Sequence, residues 1–179
     1  MTRDMAHQAD APNILVLNAG SSSIKFALFD GHLNQTLSGI AEGIGEVSKL
    51  TIETDVENTP FIDHRAALSA VLERLKTRGF DLKALAACGH RVGPGRAEPT
   101  QAVRLTPEVP AEINNCTPLA PLHNPHNLAA IDMLSELAPD APQYASLATS
   151  FHATNPTRAT RYAIPRMIET KGIRRYGFH

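Results

Sequence analysis

The stretch with the greatest capacity for chemistry is Asn18-Ala19-Gly20-Ser21-Ser22-Ser23, with Lys25 just beyond it. Gly20 lets a backbone approach a ligand closely, the serines offer hydroxyls and N–H groups, and Lys25 adds a point charge. That inventory suits phosphate, and it is equally the composition of an ordinary Ser/Gly hairpin turn. It is not a nucleotide loop of the strand–GxxxxGK[ST]–helix type, because the second Gly is absent and the residues after Lys25 alternate like a strand. Arg91 follows an apolar run and precedes a Gly/Pro loop. Its guanidinium fork matches a carboxylate or a phosphate, or else pairs with a surface acid. His123 and His126 spell H-x-x-H, but a zinc site needs a further ligand and Pro125 interrupts the pair, which leaves an anion contact or a satisfied loop histidine. His152 and His179 are isolated in sequence and alone would be assigned to packing or solvent. No Ser/His/Asp or Cys/His nucleophile arrangement can be placed from spacing.

These residues need elements to hold them. The apolar run 14–17 predicts a strand buried on both faces, and Ile24, Phe26 and Leu28 predict a second strand with one face inward, joined to the first by the serine turn as a hairpin. Runs at 36–44 and 49–54 extend this as a meander. Asp63 opens a helix whose apolar positions are Leu68, Val71, Leu72 and Leu75, with Gly79 at its C-terminal cap. The short apolar run 85–89 before His90-Arg91-Val92 predicts a strand that ends with an Arg at its carboxyl end, the edge where ligands sit in open α/β sheets. A short helix begins near Thr106-Pro107-Glu108. Pro118, Pro121 and Pro125 fix an irregular path into a further helix, with Asn124 as cap, Pro125 at the first position and Leu128, Ile131, Met133 or Leu134, and Leu137 inward; Pro139 stops it. His123 then precedes a helix N-terminus, a place for anions. A strand is expected at 143–148 and a last short helix at 164–171, capped by Gly172.

Composition bounds the reading. A chain of 179 residues can bury a full core and is expected to form one domain over 13–179, with residues 1–12 as a disordered leader. Its 17 basic and 18 acidic residues give a net charge of −1, which offers no electrostatic case for nucleic acid or an anionic membrane as a main partner. No apolar run approaches the ~18 residues of a membrane span, and residues 1–12 lack the apolar centre of a secretory signal, so a cytoplasmic protein is expected. Cys88 and Cys116 follow no metal or redox pattern and read as reduced structural thiols.

Asn18-Ala-Gly-Ser-Ser-Ser-Ile-Lys25, Gly89-His-Arg91-Val92, Pro118-Leu-Ala-Pro-Leu-His123-Asn-Pro, Thr149-Ser-Phe-His152 and Gly172-Ile-Arg-Arg-Tyr-Gly-Phe-His179 together resemble the amino-terminal half of the acetate kinases. The resemblance spans residues 13–179, in order and with similar spacing. It implies an α/β fold: the ribonuclease-H-like mixed-sheet domain of the acetate and sugar kinase/actin superfamily, an antiparallel meander first, flanked by helices. It further implies phosphoryl transfer from ATP to acetate or propionate, giving acyl phosphate and ADP, with Mg2+ required and a homodimer as the working form. Carried over by position, Asn18 would help hold the magnesium, Ser21, Ser23 and Lys25 would approach the ATP phosphates, and Arg91 would bind the carboxylate or the phosphate in transit. His123 and His179 would donate to the equatorial oxygens of the transferring group.

Three departures from the family pattern carry expectations. Ala148 stands where the family has a catalytic Asp, and a methyl group cannot accept a proton, orient a reacting carboxylate or hold a magnesium water, so the chemical step should be badly impaired. Gly93-Pro94-Gly95-Arg96 replaces a Val-His-Gly-Gly run, removing an apolar wall that would meet the acyl methyl, which puts acyl specificity in question. The sequence ends at His179, while the family continues into a second domain bearing the adenosine pocket, a further arginine, a second magnesium carboxylate and most of the dimer interface. The chain is therefore expected either to act with a separately supplied carboxy-terminal half or to be a non-catalytic phosphate- or nucleotide-binding fragment, the latter favoured for the chain alone. Its bare face is expected to drive self-association.

Overall fold

The computed structural model describes residues 13–94, 101–152, 154–173 and 175. The expected leader 1–12 lies outside them. Eight strands form one mixed sheet in the order β5-β4-β3-β2-β1-β6-β8-β7. β1 (Asn13–Ala19) and β2 (Ser23–Phe29) make the expected hairpin, and β3 (Gln35–Glu42), β4 (Lys49–Ile52) and β5 (Asp55–Asn58) continue it antiparallel to the edge. β6 (Leu85–Val92) runs parallel to β1, and β8 (Gln143–Leu147) runs parallel to β6. Two-residue β7 (Val103–Arg104) closes the other edge antiparallel to β8.

The meander differs from expectation at one point. The run 49–54 does not continue as a single strand: Glu53 takes a left-handed backbone (φ 53°), and the chain reverses there into β5. The Glu53 carboxylate accepts from the N–H and the hydroxyl of Ser38, which anchors this turn to β3. β1 likewise is not buried on both faces. Leu15, Leu17 and Ala19 are at most 3% exposed, while Val16 between them is 38% exposed.

The helices explain that asymmetry. α1 (His64–Thr77) is capped by Asp63, whose Oδ1 accepts from the Ala66 N–H at 2.8 Å, and Gly79 beyond its end has φ 87°. It buries Ala67, Leu68, Val71, Leu72 and Leu75, four of them the apolar positions read from the spacing. α3 (Asn124–Leu137) packs beside α1 on the same face and buries Ala130, Met133 and Leu134 into the shared core. Leu137 is instead half exposed, and Leu128 only borders a smaller cluster of Val92, Ile113, Ile131, Ala145 and Leu147. α2 (Val109–Asn115) supplies Ile113 to that cluster. After β8 a 3-10 turn (Ala148–His152) leads to two four-residue helices, α4 (Thr157–Thr160) and α5 (Arg166–Glu169), shorter than the helix expected at 164–171. Pro165 sets where α5 can start, and Gly172 follows at φ 86°. None of the described residues from 154 onward is buried.

Candidate functional site

β1, β6 and β8 run the same way, so their carboxyl ends lie along one edge of the sheet. Asn18 and Lys25 are paired across the β1–β2 hairpin, and Leu17 pairs with His90 across β1 and β6. One residue further on stand Asn18 and Arg91, and Arg91 pairs with Ser146 of β8. Side chains alternate across a strand, and the neighbours Leu17, Ile24, His90 and Ala145 are all buried beneath the helices. Lys25, Asn18, Arg91 and Ser146 therefore form a row across four strands on the face that the helices leave uncovered, at steps of about 4.8 Å. Lys25, Arg91 and Ser146 are exposed and Asn18 is half-buried. An open groove of about 500 Å3 begins beside Asn18 and Lys25 and runs over Val16, Ala27, Gly39 and Thr51.

The serine turn closes the end of the same hairpin. The Gly20 N–H donates to Ser23 O at 2.8 Å, and the Ile44 N–H donates to Ser22 O at 3.1 Å. Gly20 is not required by its own backbone: a Cβ there would meet nothing closer than Ser23 O at 3.5 Å, and its φ is not left-handed. The missing side chain leaves open space bounded by Ser23 O and Ser23 Oγ.

Two 14-residue helices begin beside this turn, and their first N–H groups are largely paired: Ala66 and Ala67 of α1 donate to Asp63, while Asn124, His126 and Asn127 of α3 donate to Ala120 O and His123 O, so it is side chains from their first turns that reach the loop. His64, the first residue of α1, donates its Nε2–H to Gly20 O at 2.6 Å. In the first turn of α3, Asn127 donates Nδ2–H to Ala19 O at 2.6 Å and accepts at Oδ1 from the Gly93 N–H at 2.9 Å. One buried amide thus ties the end of β1, the residue after β6 and the start of α3 together. Asn124 does not cap α3 as expected. It is already the first helical residue, fully buried, and its Nδ2 donates to Pro94 O at 3.2 Å and Ile113 O at 3.1 Å. The cap position falls to His123. A Cβ on Gly93 would stand 2.5 Å from Asn124 Oδ1 and 3.6 Å from His123 Cβ, so a side chain here would force the buried Asn124 amide to move, and His123 lies against Gly93, the second residue after Arg91.

The imidazoles cluster here. The rings of His64 and His126 stack at 3.9 Å with 14° between their planes. Burial pushes His126 below the ordinary imidazole value, and the neighbouring charges of His64 and His123 push the same way. His90, under the sheet, donates to Gln143 Oε1 at 2.7 Å, and Gln143 passes a hydrogen bond on to Ser135. Burial lowers His90 to about 4, outweighing the opposing effect of the Gln143 hydrogen bond. Burial raises the Cys88 thiol to about 12, which fits an inert structural cysteine.

Of the candidates named from sequence, Asn18, Ser21, Ser23, Lys25, Arg91 and His123 fall at this one end of the sheet, and Ala148 lies just past the carboxyl end of β8. His179, Gly95, Arg96 and the side chain of His152 lie outside the described residues. Sequence reasoning assigned nothing to His64 or Asn127. Their only signals were proximity, His64 next to the Asp63 cap and Asn127 one turn past His123. Among the described residues no three His, Cys, Asp or Glu side chains stand together as a metal site. Asn18 offers an amide oxygen, which suits magnesium if water and phosphate supply the remaining ligands.

A mixed sheet with this row of polar groups and two helix starts at the carboxyl ends of its parallel strands defines an α/β domain of the open-sheet kind, whose ligand edge is that one. The sequence profile of the Acetokinase family matches residues 13–179, and the chain belongs to that family. It is 44% identical over 177 residues to an acetate kinase of Streptomyces avermitilis, covering 93% of this chain and 44% of that protein. It is 42% identical over 179 residues to one of Helicobacter pylori, covering 93% of this chain and 45% of the relative. The fold matches a propionate kinase from Francisella tularensis subsp. tularensis (TM-score 0.84, 33% identity) and the acetate kinase of Porphyromonas gingivalis (TM-score 0.84, 35% identity), each over 94% of this chain and 45% of the other. The architecture is thus the actin-like mixed-sheet domain that the resemblance implied. The chain spans a little under half the length of these relatives.

Proposed function

We infer that this chain carries the phosphate-loop part of an acyl-phosphate-forming kinase, transferring the γ-phosphoryl group of ATP to acetate or propionate. The observation that carries the inference is the convergence of the serine turn, the Arg91 strand end and the His123 helix start at one edge, tied by Asn127. Phosphoryl transfer depends on positioning and charge neutralisation, and these residues offer both. Ser21, Ser23 and Lys25 would receive the polyphosphate, Arg91 would hold the carboxylate or the phosphoryl group in transit, and His123, with His179, would donate to its equatorial oxygens. Asn18 would contribute one oxygen to a magnesium ion, which supplies neutralisation of phosphate charge when bound with the nucleotide. The unit is residues 13–179 with 1–12 as a leader, working in the cytoplasm, with a homodimeric assembly or a separate carboxy-terminal half as partner. No helix among the described residues is long and apolar enough to cross a membrane.

Ala148 favours a second reading, binding without turnover. By the resemblance its methyl group takes the place of an acid, and Ser146 cannot replace a carboxylate. A hydroxamate assay with ATP, magnesium and acetate separates the two. The chain alone is expected to give no acyl phosphate above a no-protein blank, and product there overturns the non-catalytic reading. Adding the carboxy-terminal half of an active relative to the Ala148→Asp variant is expected to restore product. If it does not, while the intact relative works in the same assay, kinase ancestry carries no catalytic capacity in this chain.

A further inference from the structure

The serine turn is held from the helix side by the side chains of His64 and Asn127, which bond to its backbone carbonyls. The peptide joining Ala19 to Gly20 is saturated: its carbonyl accepts from Asn127 Nδ2 and its N–H donates to Ser23 O. In the next peptide the carbonyl, Gly20 O, is likewise taken, by His64 Nε2 at 2.6 Å. A trans peptide is planar with C=O and N–H pointing opposite ways, so a carbonyl held toward α1 turns the Ser21 N–H away from α1. A carbonyl oxygen can only accept, so His64 must be protonated at Nε2 to make this contact. The His126 ring stacked on His64 fixes its plane.

We propose that His64 and Asn127 are positioning residues for the phosphate loop. Asn127 anchors the fixed peptide, and His64 sets the orientation of the one that presents the Ser21 N–H. The proposal rests on the reading of this turn as the phosphate loop, and it names what makes the loop preorganised. Loops that donate backbone N–H groups to phosphate lose affinity when those groups must be ordered on binding, since the ordering cost is then charged against the complex.

The test uses the 179-residue chain, inorganic tripolyphosphate as the probe, and the variants His64→Gln and His64→Phe. Gln can still donate an N–H to Gly20 O, whereas Phe keeps a ring against His126 and donates nothing. In the free chain, nitrogen NMR is expected to find His64 in the Nε2–H tautomer, the Asn127 side-chain amide protected from exchange, and the Ser21 and Ser22 amides ordered. An Nδ1–H tautomer or a rapidly exchanging Asn127 amide overturns the proposal. His64→Phe is expected to loosen Ser21 and Ser22 and weaken tripolyphosphate binding about fivefold, the scale of one hydrogen bond. His64→Gln should restore both to within about twofold. Wild-type order and affinity in the Phe variant, or equal losses in both variants, would show that the ring only packs and would overturn the proposal. If the wild-type chain binds no tripolyphosphate, the phosphate reading fails by itself. Tautomer and loop order in the free chain then still decide whether His64 and Asn127 position the turn.

Discussion

The two faces of the sheet differ in what covers them. On one, Leu15, Leu17, Ile24, Cys88 and Ala145 are at most 1% exposed beneath α1 and α3. On the other, Val16 and Tyr144 are each 38% exposed, and the row Lys25, Asn18, Arg91, Ser146 lies beside an open groove. The first face holds the core, and the second carries the polar row. The serine turn is where they meet, since His64 and Asn127 reach it from the covered side while Lys25 stands on the open one.

The largest expected effect tests that division. Leu134→Ala should cost about 2–5 kcal/mol in urea unfolding, because a 1%-exposed leucine leaves a cavity that its neighbours fill only in part. Val16→Ala on the open face should cost less than about 1 kcal/mol, and equal losses would break the comparison. Acid should come next. The folded His90 value of about 4 lies below its unfolded value of 6.5, so the unfolded chain binds the extra proton between the two. Stability is then complete above pH 6.5 and falls by about 3 kcal/mol as the pH drops toward 4. His90→Gln should flatten that part of the profile, and an unchanged slope would assign the loss elsewhere. Asp63→Ala, which removes the α1 cap, should cost about 1 kcal/mol. The smallest effect sharpens the comparison most. Gly20→Ala should leave stability within about 1 kcal/mol, since its Cβ meets only ordinary contacts, yet it should weaken tripolyphosphate binding. A folding loss without a binding loss would make Gly20 a structural residue.

Much of this was legible in the sequence because period and punctuation are local. The hairpin showed in an apolar run, an alternating run and a six-residue Asn/Gly/Ser-rich stretch between them, and α1 showed in Asp63, four spaced aliphatics and Gly79. β5 was not legible, since Asp55–Asn58 is exposed throughout and becomes a strand only by pairing with β4. β7 is two residues held by β8. The cap of α3 was misassigned by one residue because Asn124, a good capping type, is drawn inward by carbonyls of Pro94 and Ile113 that no local pattern announces. The candidate site divides the same way. Residues with a chemical signature, Ser21, Lys25, Arg91 and His123, stood out, whereas His64 acts on a carbonyl 44 positions away. Asn127 likewise acts across 108 positions.

The central claim is that the serine turn, the Arg91 strand end and the His123 helix start form one anion site. Its most direct test is a tripolyphosphate titration of the nitrogen-labelled chain followed by NMR. The account predicts that Ser21, Ser23, Lys25, Arg91, Gly93 and His123 shift together along a single binding curve. Shifts confined to one of these segments, or lying on another part of the sheet, would contradict it.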